Sequence, residues 1–498
     1  MVKLDYNLFV IAFVAITGSF TFGFSNSCIG SVIGFSSFLN YFSLSTSSTL
    51  LGTLSSLFAA GTAIGALIQA WLSDKLGRVK TLQLACVFCI VGGAIQAGSV
   101  HISMLLVGRF ISGFGVGFMA TLVPIYQSEI APPETRGALV GSHGIFILLG
   151  YALSAWIGYG VWFASNGTFQ WRFELAVQVI SPIFLLVGSP LLPESPRWLT
   201  DNGREADAFK ILCRLHQDPN GSDRNARAHE EFDQITRQCL VDKELNTKLG
   251  KWALFTIPSY RKRLICGTLT FFMAQSTGVL VINNYQVLLY NTLGLYDSFP
   301  LLLYALYLTV AALMNVVSAY IMDKAGRKRL FILGCIFCSI DMVLYTVMVT
   351  KYSGTDNKVG NGFGVLFLFM FVSIYATTID ATEYVYAAEI FPTHVRSMGM
   401  GISIFSQAVW TVLYTEVAPT AFSTIGWKYY LVFILVPLAC IPVVWKLFPE
   451  TKGLSLEEIG AAFGDTVAVD ITHTGKSERQ VHNFQLAENA AETSEKSV

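Results

Sequence analysis

The amino-acid sequence predicts an all-α membrane protein with about twelve membrane-spanning helices arranged as two related halves. Only 13% of the 498 residues are charged and 53% are hydrophobic, whereas a soluble globular chain carries roughly 25% charged residues. Long apolar runs recur along the chain, and several short motifs of the first half return in the second half in the same order. A bilayer is therefore the solvent that suits this chain.

Each apolar run is long enough to cross a bilayer as a helix. A hydrocarbon core of about 30 Å needs roughly 20 helical residues, because each residue rises about 1.5 Å, and lipid offers no partner for unpaired backbone groups. In the first half we predict spans at Leu8–Ser31, Leu50–Leu72, Leu82–Val100, Met104–Tyr126, Ala138–Tyr159 and Phe173–Leu192. In the second half we predict spans at Leu264–Leu288, Pro300–Met322, Phe331–Thr350, Phe363–Ala387, Met398–Ala418 and Tyr429–Phe448. The first run lacks the small-residue cleavage site of a signal peptide, so we interpret it as a retained helix.

Lys and Arg residues concentrate in alternate loops, which sets the predicted orientation because cytoplasmic loops carry an excess of both. The loops after predicted spans 2, 4, 8 and 10 hold Lys75, Arg78, Lys80, Arg136, Lys324, Arg327, Lys328, Arg329 and Arg396, and the segment after span 6 holds many more. The opposite loops hold little beyond Lys351, Lys358 and Lys428. Both termini are therefore expected to face the cytoplasm, and we predict a multi-pass protein of the plasma membrane.

The polar segments divide the chain into four parts. We predict an N-terminal six-helix bundle (1–192), a cytoplasmic linker (193–263), a C-terminal six-helix bundle (264–448) and a largely disordered cytoplasmic tail (449–498). Within the linker, the patterns at Glu205–Leu215 and His229–Leu240 favour amphipathic helices on the membrane surface. In a loop predicted to be external, Asn166 begins an Asn-Gly-Thr triplet, so it is a candidate glycosylation site.

Three pairs of short motifs form an internal repeat. The pairs are Asp74–Arg78 with Asp323–Arg327, Ser128–Arg136 with Ala388–Arg396, and Pro193–Arg197 with Pro449–Gly453. In each pair the second motif lies roughly 250 residues after the first, a spacing that indicates a duplicated unit. Because each half contains an even number of helices, both halves have the same orientation. Such parallel repeats are typical of transporters that bind a solute between their halves.

Other classes of site and partner are disfavoured. The spacing Cys86-x-x-Cys89 returns at Cys335-x-x-Cys338, but a thiolate in lipid is costly and no histidine lies near, so we interpret these cysteines as packing residues rather than metal ligands. We predict no cofactor. The 33 basic and 33 acidic residues balance, which argues against a nucleic-acid partner. Since no nucleophile–base pair or His/Asp cluster is apparent in the helices, we expect no enzyme.

Taken together, these motifs resemble the sugar porter family of the major facilitator superfamily, fungal in style, over nearly the whole chain. The resemblance rests on the two Asp-x-x-Gly-Arg loops, Arg109 within Gly108–Phe110, and the Glu/Arg and Pro-Glu motifs of the repeat. It implies the major facilitator fold, with twelve helices in two bundles that rock about a central solute site. We expect a monomer in the lipid bilayer.

The resemblance also implies a cytoplasmic gate, in which charges at helix ends latch the two halves together in one state and separate in the other. The residues that match are Asp74, Arg78, Glu129, Arg136, Glu194 and Arg197 in the first half and Asp323, Arg327, Glu389, Arg396 and Glu450 in the second. The alternative is that they are ordinary topology-setting charges, but both signs recur at matched positions.

At the implied solute site the sequence departs from the family. Positions that usually bind sugar hydroxyls are Gly144, Leu280 and Ala311 here, while Tyr384 and Gln407 replace other polar residues. Polar side chains at membrane depth are functional candidates, although hydrogen bonds between helices are the competing explanation. Our candidate binding residues are Gln275, Asn283, Asn284, Tyr285, His143, Tyr384, Gln407 and Trp410. Fewer hydroxyl partners and more aromatic surface suit a solute less polar than glucose.

Energy coupling departs as well. Proton-driven members of the family carry an Asp in the first span, paired with the Arg that corresponds to Arg109, but Ser25 occupies the acid position here. Asp380 and Glu383 in the tenth span remain as coupling candidates, because a carboxyl group buried at membrane depth can carry a proton. The sequence therefore leaves two forms open, a uniporter and a proton symporter of unusual design.

The function implied is transport of a monosaccharide or similar small solute by alternating access. The alternatives are transport of a fungal secondary metabolite or another less polar solute, and a nutrient sensor that binds solute without useful flux. Sensors of the family usually carry long cytoplasmic tails, which disfavours the sensor. The sequence does not choose the solute or the direction of transport.

Overall fold

The computed structural model describes residue 10 and residues 13–45, 48–131, 136–215, 224–249, 253–355, 357–454 and 456–464. In this part of the chain every regular element is a helix. The elements of the first half are a π-helical segment, Ala15–Ser19, followed by α1 (Phe20–Gly34), α2 (Ser36–Tyr41), α3 (Thr49–Leu76), α4 (Arg78–Ala97), α5 (Ile102–Ile130), α6 (Arg136–Trp162), α7 (Gly167–Val177) and α8 (Ile180–Gly188), which ends in a 3₁₀ turn, Ser189–Leu191.

The linker and the second half are also helical. The linker contains α9 (Pro196–Asp201), α10 (Glu205–Leu215), α11 (Arg224–Leu249) and α12 (Ala253–Thr256). The second half contains α13 (Pro258–Ser276), α14 (Val279–Thr292), α15 (Phe299–Ala325), α16 (Arg327–Tyr352), α17 (Lys358–Tyr375), a π segment (Ala376–Asp380), α18 (Ala381–Ile390), α19 (Thr393–Thr424), a 3₁₀ turn (Gly426–Tyr429), α20 (Tyr430–Leu447) and α21 (Leu456–Phe463).

The predicted fold class is confirmed. Among the described residues, ten helices are long and apolar enough to cross a membrane. The other two predicted spans correspond to α1, whose regular part has only 15 residues after the π segment, and to α19, a helix of 32 residues with many polar side chains. We call the side that carries the linker the linker side, and the opposite side the far side.

Several spans differ in detail from the prediction. The seventh span is broken at Gly278, whose φ of 85° lies in the left-handed region, so α13 and α14 are two helices rather than one. The tenth span is interrupted by the π segment Ala376–Asp380. In the linker, α10 has the bounds predicted for Glu205–Leu215, and the second predicted helix lies inside the longer α11. The tail from residue 465 onward lies outside the described residues.

Two glycines form the turns that carry the repeated motif. Gly77 joins α3 to α4 at φ 91° and ψ 170°, and Gly326 joins α15 to α16 at φ 89° and ψ 153°. Only glycine adopts this region readily. A Cβ at Gly77 would lie 2.5 Å from Glu194 Oε2, and one at Gly326 would lie 2.6 Å from Glu450 Oε2. The glycine of the motif is therefore required by both the backbone and the neighbouring carboxylate.

Small residues let helices of the same half approach closely. A Cβ on Gly61 or Gly65 of α3 would lie 2.3 Å from a backbone oxygen of α5, and Gly113 and Gly117 on α5 face α3 in the same way. Close backbone approach through such residues is the usual packing device in lipid, where burial of apolar surface gives little driving force.

The two halves meet where α1, α6 and α3 of the first half pack on helices of the second half. On the far side, α1 packs on α14 and α15, where a Cβ on Gly34 would lie 2.6 Å from Val287 Cγ1. The α6 helix meets α15, and Trp156 Nε1 donates to Thr309 Oγ1 at 3.0 Å. The α3 helix meets α19, where a Cβ on Gly401 would lie 3.2 Å from the Ala66 carbonyl oxygen.

Substitution of Gly77 tests the repeated turn. We expect Gly77→Ala to lower the free energy of unfolding by about 1–3 kcal/mol, because alanine must adopt a backbone conformation that favours glycine. The measurement is the apparent Tm of the purified protein in detergent. Gly362→Ala, in α17 with no atom within 4 Å of the added Cβ, is the control and should not lower Tm. Equal Tm values for the two variants would contradict this account of the turn.

Candidate solute site and charge clusters

A cavity lies between the two halves at the middle of the helices. Its walls come from α1, α3 and α6 of the first half and from α13, α14, α15, α17, α18 and α19 of the second. The space inside it that the centre of a water-sized sphere can occupy is about 110 Å³. One water needs only about 10–15 Å³ by the same measure, so the cavity has room for a small solute.

Four of the eight predicted binding residues line this cavity. They are Gln275, Asn283, Tyr384 and Gln407. Asn283 Oδ1 is buried without a hydrogen-bond partner among the described residues. The Gln275 side chain accepts a hydrogen bond from Thr411 Oγ1 at 3.4 Å. These amides can donate to and accept from a solute.

The other four predicted residues lie outside the cavity lining. His143 Nδ1 lies 2.7 Å from Ser19 Oγ, and the Tyr285 hydroxyl donates to the Thr415 carbonyl at 3.1 Å. The Trp410 ring packs on Phe272, with 4.4 Å between ring centroids. Asn284 is buried beside Asn283 on α14. Contacts between helices account for Tyr285 and Trp410, whereas His143 Nε2 is buried without a hydrogen-bond partner among the described residues.

Three positions at which the family usually reads sugar hydroxyls also line the cavity. They are Gly144, Leu280 and Ala311. A Cβ added to Gly144 would meet only one atom within 4 Å, Asn315 Oδ1 at 3.4 Å. The cavity wall is therefore open or apolar at all three positions, and none of them can hydrogen-bond a hydroxyl through a side chain.

The structure adds cavity residues that were not among the predicted set. Asn26 donates to the Tyr151 hydroxyl, and both residues line the cavity. The rings of Phe22, Phe58, Tyr307 and Tyr375 also face it. A polar residue at membrane depth is a detectable signal for Asn26, but aromatic residues occur throughout the helices and their orientation is not readable from their spacing.

Two carboxyl groups face the cavity from the π segment and from α18. Asn315 Nδ2 donates to Asp380 Oδ2 at 2.7 Å, and Gln407 Nε2 lies 3.4 Å from Glu383 Oε1. Glu383 is 1% exposed, and its Oε2 has no hydrogen-bond partner among the described residues. A buried carboxyl oxygen without a hydrogen-bond partner costs free energy. This indicates that Glu383 binds a proton or a ligand.

The predicted coupling pair in the first half has a different arrangement. Arg109 is fully buried and donates to two carbonyl oxygens, to Ser25 at 2.9 Å and to Leu54 at 3.1 Å. Its guanidinium carbon also lies 4.2 Å from the centre of the Phe58 ring. Ser25 thus contacts Arg109 through its backbone, and Arg109 Nη2 has no hydrogen-bond partner among the described residues.

On the linker side, the charges of the first half form a compact cluster. Arg78 binds Glu129 through two hydrogen bonds of 2.9 Å and Asp74 through one of 3.1 Å. Glu194 accepts from the backbone N–H groups of Arg78 at 2.8 Å and Val79 at 3.3 Å, and so caps α4. Burial raises the pKa of the Glu194 carboxyl above its usual range, even though these N–H groups favour the charged form.

The second half repeats this cluster. Arg327 Nη2 donates to Glu389 Oε1 at 3.1 Å, and Glu450 Oε1 accepts from the backbone N–H of Arg327 at 2.8 Å. Thr451 Oγ1 donates to Glu389 Oε2 at 2.6 Å. These contacts join residues of one half, as do those around Arg78. Each cluster therefore locks the helices of its own half into one unit.

The remaining predicted gate residues lie close to the two clusters or outside the described set. Arg197 adds positive charge near Glu129, and Arg396 Nε donates to the Phe391 carbonyl at 3.2 Å. The side chains of Arg136 and Asp323 lie outside the described part of the structure.

The predicted glycosylation site caps a helix. Asn166 is exposed, and its side-chain oxygen accepts from Thr168 N at 3.0 Å and from Phe169 N at 3.3 Å at the start of α7. Glycosylation at Asn166 remains a prediction.

Removal of Arg78 tests the first cluster. In Arg78→Gln, the carboxylate of Glu129, whose side chain is 10% exposed, loses its bidentate partner, and we expect a loss of about 3–5 kcal/mol in the free energy of unfolding. Heat unfolding in detergent is the measurement. The control is Arg204→Gln, which removes an exposed pair with Asp207 at 2.7 Å and should cost about 1 kcal/mol or less. Similar losses in both variants would show that burial of the cluster contributes nothing.

Comparison with known proteins agrees with this architecture. The sequence profile of the family described as "Sugar (and other) transporter" matches residues 11–463. The MFS-type transporter criB of Aspergillus cristatus is 32% identical over 97% of this chain and 97% of that protein. The high-affinity glucose transporter of Kluyveromyces lactis is 29% identical over 93% of this chain and 86% of that protein.

Among solved structures, the proton:xylose symporter XylE of E. coli, bound to 6-bromo-6-deoxy-D-glucose, superposes with a TM-score of 0.77. It is 24% identical and covers 91% of this chain and 98% of its own length, a likeness that concerns the fold. Because the family profile matches most of the chain, the protein belongs to the sugar porter family of the major facilitator superfamily.

Proposed function

We propose that this protein transports a small solute, about the size of a monosaccharide, by alternating access. The observation that carries the proposal is the central cavity, because it is lined by both halves. When two rigid halves share one site, a rocking movement opens that site to one side and then to the other. The charge clusters on the linker side keep each half rigid during such a movement.

Contacts between the halves on the far side fit one end state of this cycle. Ser27 Oγ and the Tyr304 hydroxyl lie 3.0 Å apart, and the Glu416 carboxylate accepts hydrogen bonds from Thr53, at 3.0 Å, and from Ser56. These polar contacts join the two halves on one side of the cavity. We propose that they separate in the opposite end state, and that the linker side faces the cytoplasm, as the distribution of Lys and Arg suggests.

The relatives and the cavity favour two classes of solute. The glucose transporter among the relatives supports a monosaccharide, and the amides of Gln275, Asn283 and Gln407 can bind hydroxyls. A less polar solute is the second candidate, because Gly144 and Leu280 offer no hydrogen bond and several aromatic rings line the cavity. A negatively charged solute is disfavoured by Asp380 and Glu383.

For energy coupling we propose a uniporter. Arg109 is held by the carbonyls of Ser25 and Leu54, and serine cannot exchange a proton near neutral pH, so a relay between positions 25 and 109 has no proton carrier. Asp380 and Glu383 are the only carboxyl groups among the described lining residues, and a proton-coupled form would have to use them.

Solute uptake tests the proposed function. We express the protein in a yeast strain that lacks hexose transport and measure uptake of radiolabelled glucose, xylose and 2-phenylethylamine. We expect saturable uptake of at least one probe above the empty-vector level. Gly144→Phe should reduce that uptake at least tenfold, because the ring fills the cavity.

The control for the filled cavity is Gly160→Phe, since a Cβ at Gly160 has no atom within 4 Å. This variant should keep the uptake of the parent protein. Absence of uptake for all three probes, with the protein demonstrated at the cell surface, would contradict the proposal.

A pH gradient tests the uniport form. In proteoliposomes, counterflow of the transported probe should not change when a gradient of about one pH unit is imposed, because the first-half relay has no acid. Accumulation driven by the gradient would instead establish a proton symporter, and a Glu383→Gln variant that keeps counterflow but loses this accumulation would assign the coupling to α18.

A further inference from the structure

We propose that the solute carries a protonated amine, which Asp380 and Glu383 bind at the cavity wall, and an aromatic or apolar body that packs on the cavity rings. This inference names the substrate class of the central site and so rests on the proposed function. It follows from the hydrogen bonding of the two carboxyl groups, the charge balance of the cavity and the nature of its remaining surface.

Both carboxyl groups are arranged as acceptors. Asn315 Nδ2 points an N–H group at Asp380, and Gln407 Nε2 approaches Glu383 Oε1. The second oxygen of Glu383 has no partner among the described residues, although the residue is 1% exposed and lines the cavity. An ammonium group has donors to spare and no acceptor, so it satisfies this oxygen without competing for the amide donors.

The charge balance of the cavity favours a cation. The described residues that line it include two carboxyl groups and no Lys, Arg or His side chain. Arg109 does not line the cavity; it donates to two carbonyl oxygens and faces the Phe58 ring, while its Nη2 has no hydrogen-bond partner among the described residues. His143, behind the Tyr384 ring, has its Nδ1 at 2.7 Å from Ser19 Oγ. A buried carboxyl group is stabilised either by a proton or by a cationic partner, and a cationic solute supplies the second.

The remaining surface suits the body of such a solute. Six aromatic rings line the cavity: Phe22, Phe58, Tyr151, Tyr307, Tyr375 and Tyr384. Aromatic faces attract ammonium groups and pack against apolar rings. The wall also contains Gly144, Leu280 and Ala311, whose side chains cannot hydrogen-bond a hydroxyl. A neutral polyol would leave the Glu383 carboxylate without a counter-charge, and an anion would be repelled.

A matched pair of ligands tests the inference directly. With the purified full-length protein in nanodiscs, we measure the binding of radiolabelled 2-phenylethylamine and its displacement by 2-phenylethanol and by glucose. The alcohol has the same skeleton as the amine but no charge. We expect the amine to bind at least tenfold more tightly than either competitor.

Three variants assign the effect to the carboxyl groups. Glu383→Gln and Asp380→Asn should each weaken amine binding by about tenfold to a hundredfold, the range for loss of a hydrogen bond to a charged group. Glu174→Gln should bind like the parent protein, because Glu174 is buried beside Ser154, at 3.5 Å, outside the cavity lining. A monodisperse elution profile verifies that each variant is folded.

Two results would overturn the inference: binding of the alcohol or of glucose at least as tight as that of the amine, or unchanged amine affinity in both carboxyl variants. Either result leaves the transport proposal intact if glucose or xylose is taken up by the yeast. Failure of all uptake at the cell surface contradicts transport instead, whatever the binding experiment gives.

Discussion

The hydrocarbon core of a bilayer offers no water to backbone or side-chain polar groups, and this constraint shapes every level of the structure. Backbone groups must be satisfied within helices. Where the second half is interrupted, at Gly278 and at the π segment Ala376–Asp380, the irregular backbone is packed inside the protein or lies at the cavity. Side-chain hydroxyls follow the same rule, since many donate to carbonyl oxygens one turn back in their own helix.

The same constraint explains the two charge clusters. Gly77 and Gly326 turn the chain so sharply that the first N–H groups of α4 and α16 would be left without partners. Glu194 and Glu450 fill this need, each from the end of the last span of its half. In each half, one glutamate side chain thus connects the end of the last span to an earlier helix and caps that helix. Glycine, glutamate and arginine therefore form one physical unit, which is why they recur together in the repeat.

The central cavity is one place where the constraint is relaxed. Glu383 and Asn283, which line it, each have a buried oxygen that no described residue satisfies, whereas the Glu416 carboxylate accepts hydrogen bonds from Thr53 and Ser56. Unsatisfied groups are costly in a packed helix bundle. The two oxygens belong to residues that line a cavity shared by both halves, which supports a role in binding, and their acceptor character favours a solute that donates hydrogen bonds.

The amino-acid sequence by itself determined the spans, the duplication and the paired charges, because a run of about 20 apolar residues and a repeated motif are local signals. It also identified Gln275, Asn283, Tyr384, Gln407, Asp380 and Glu383 as polar residues at membrane depth, all of which line the cavity. The comparison of motifs placed Gly144, Leu280 and Ala311 at the site, and they do line it.

Only the tertiary structure decided which polar residues share the cavity. Neighbouring residues of a helix point about 100° apart, so Asn283 lines the cavity while Asn284 does not, and the rotation of α14 that separates them comes from packing against α1 and α19. The break at Gly278 and the π segment before Ala381 likewise set the directions of Asn283 and Asp380. Sequence fixes which side chains are available, and the packing of twelve helices fixes which of them meet.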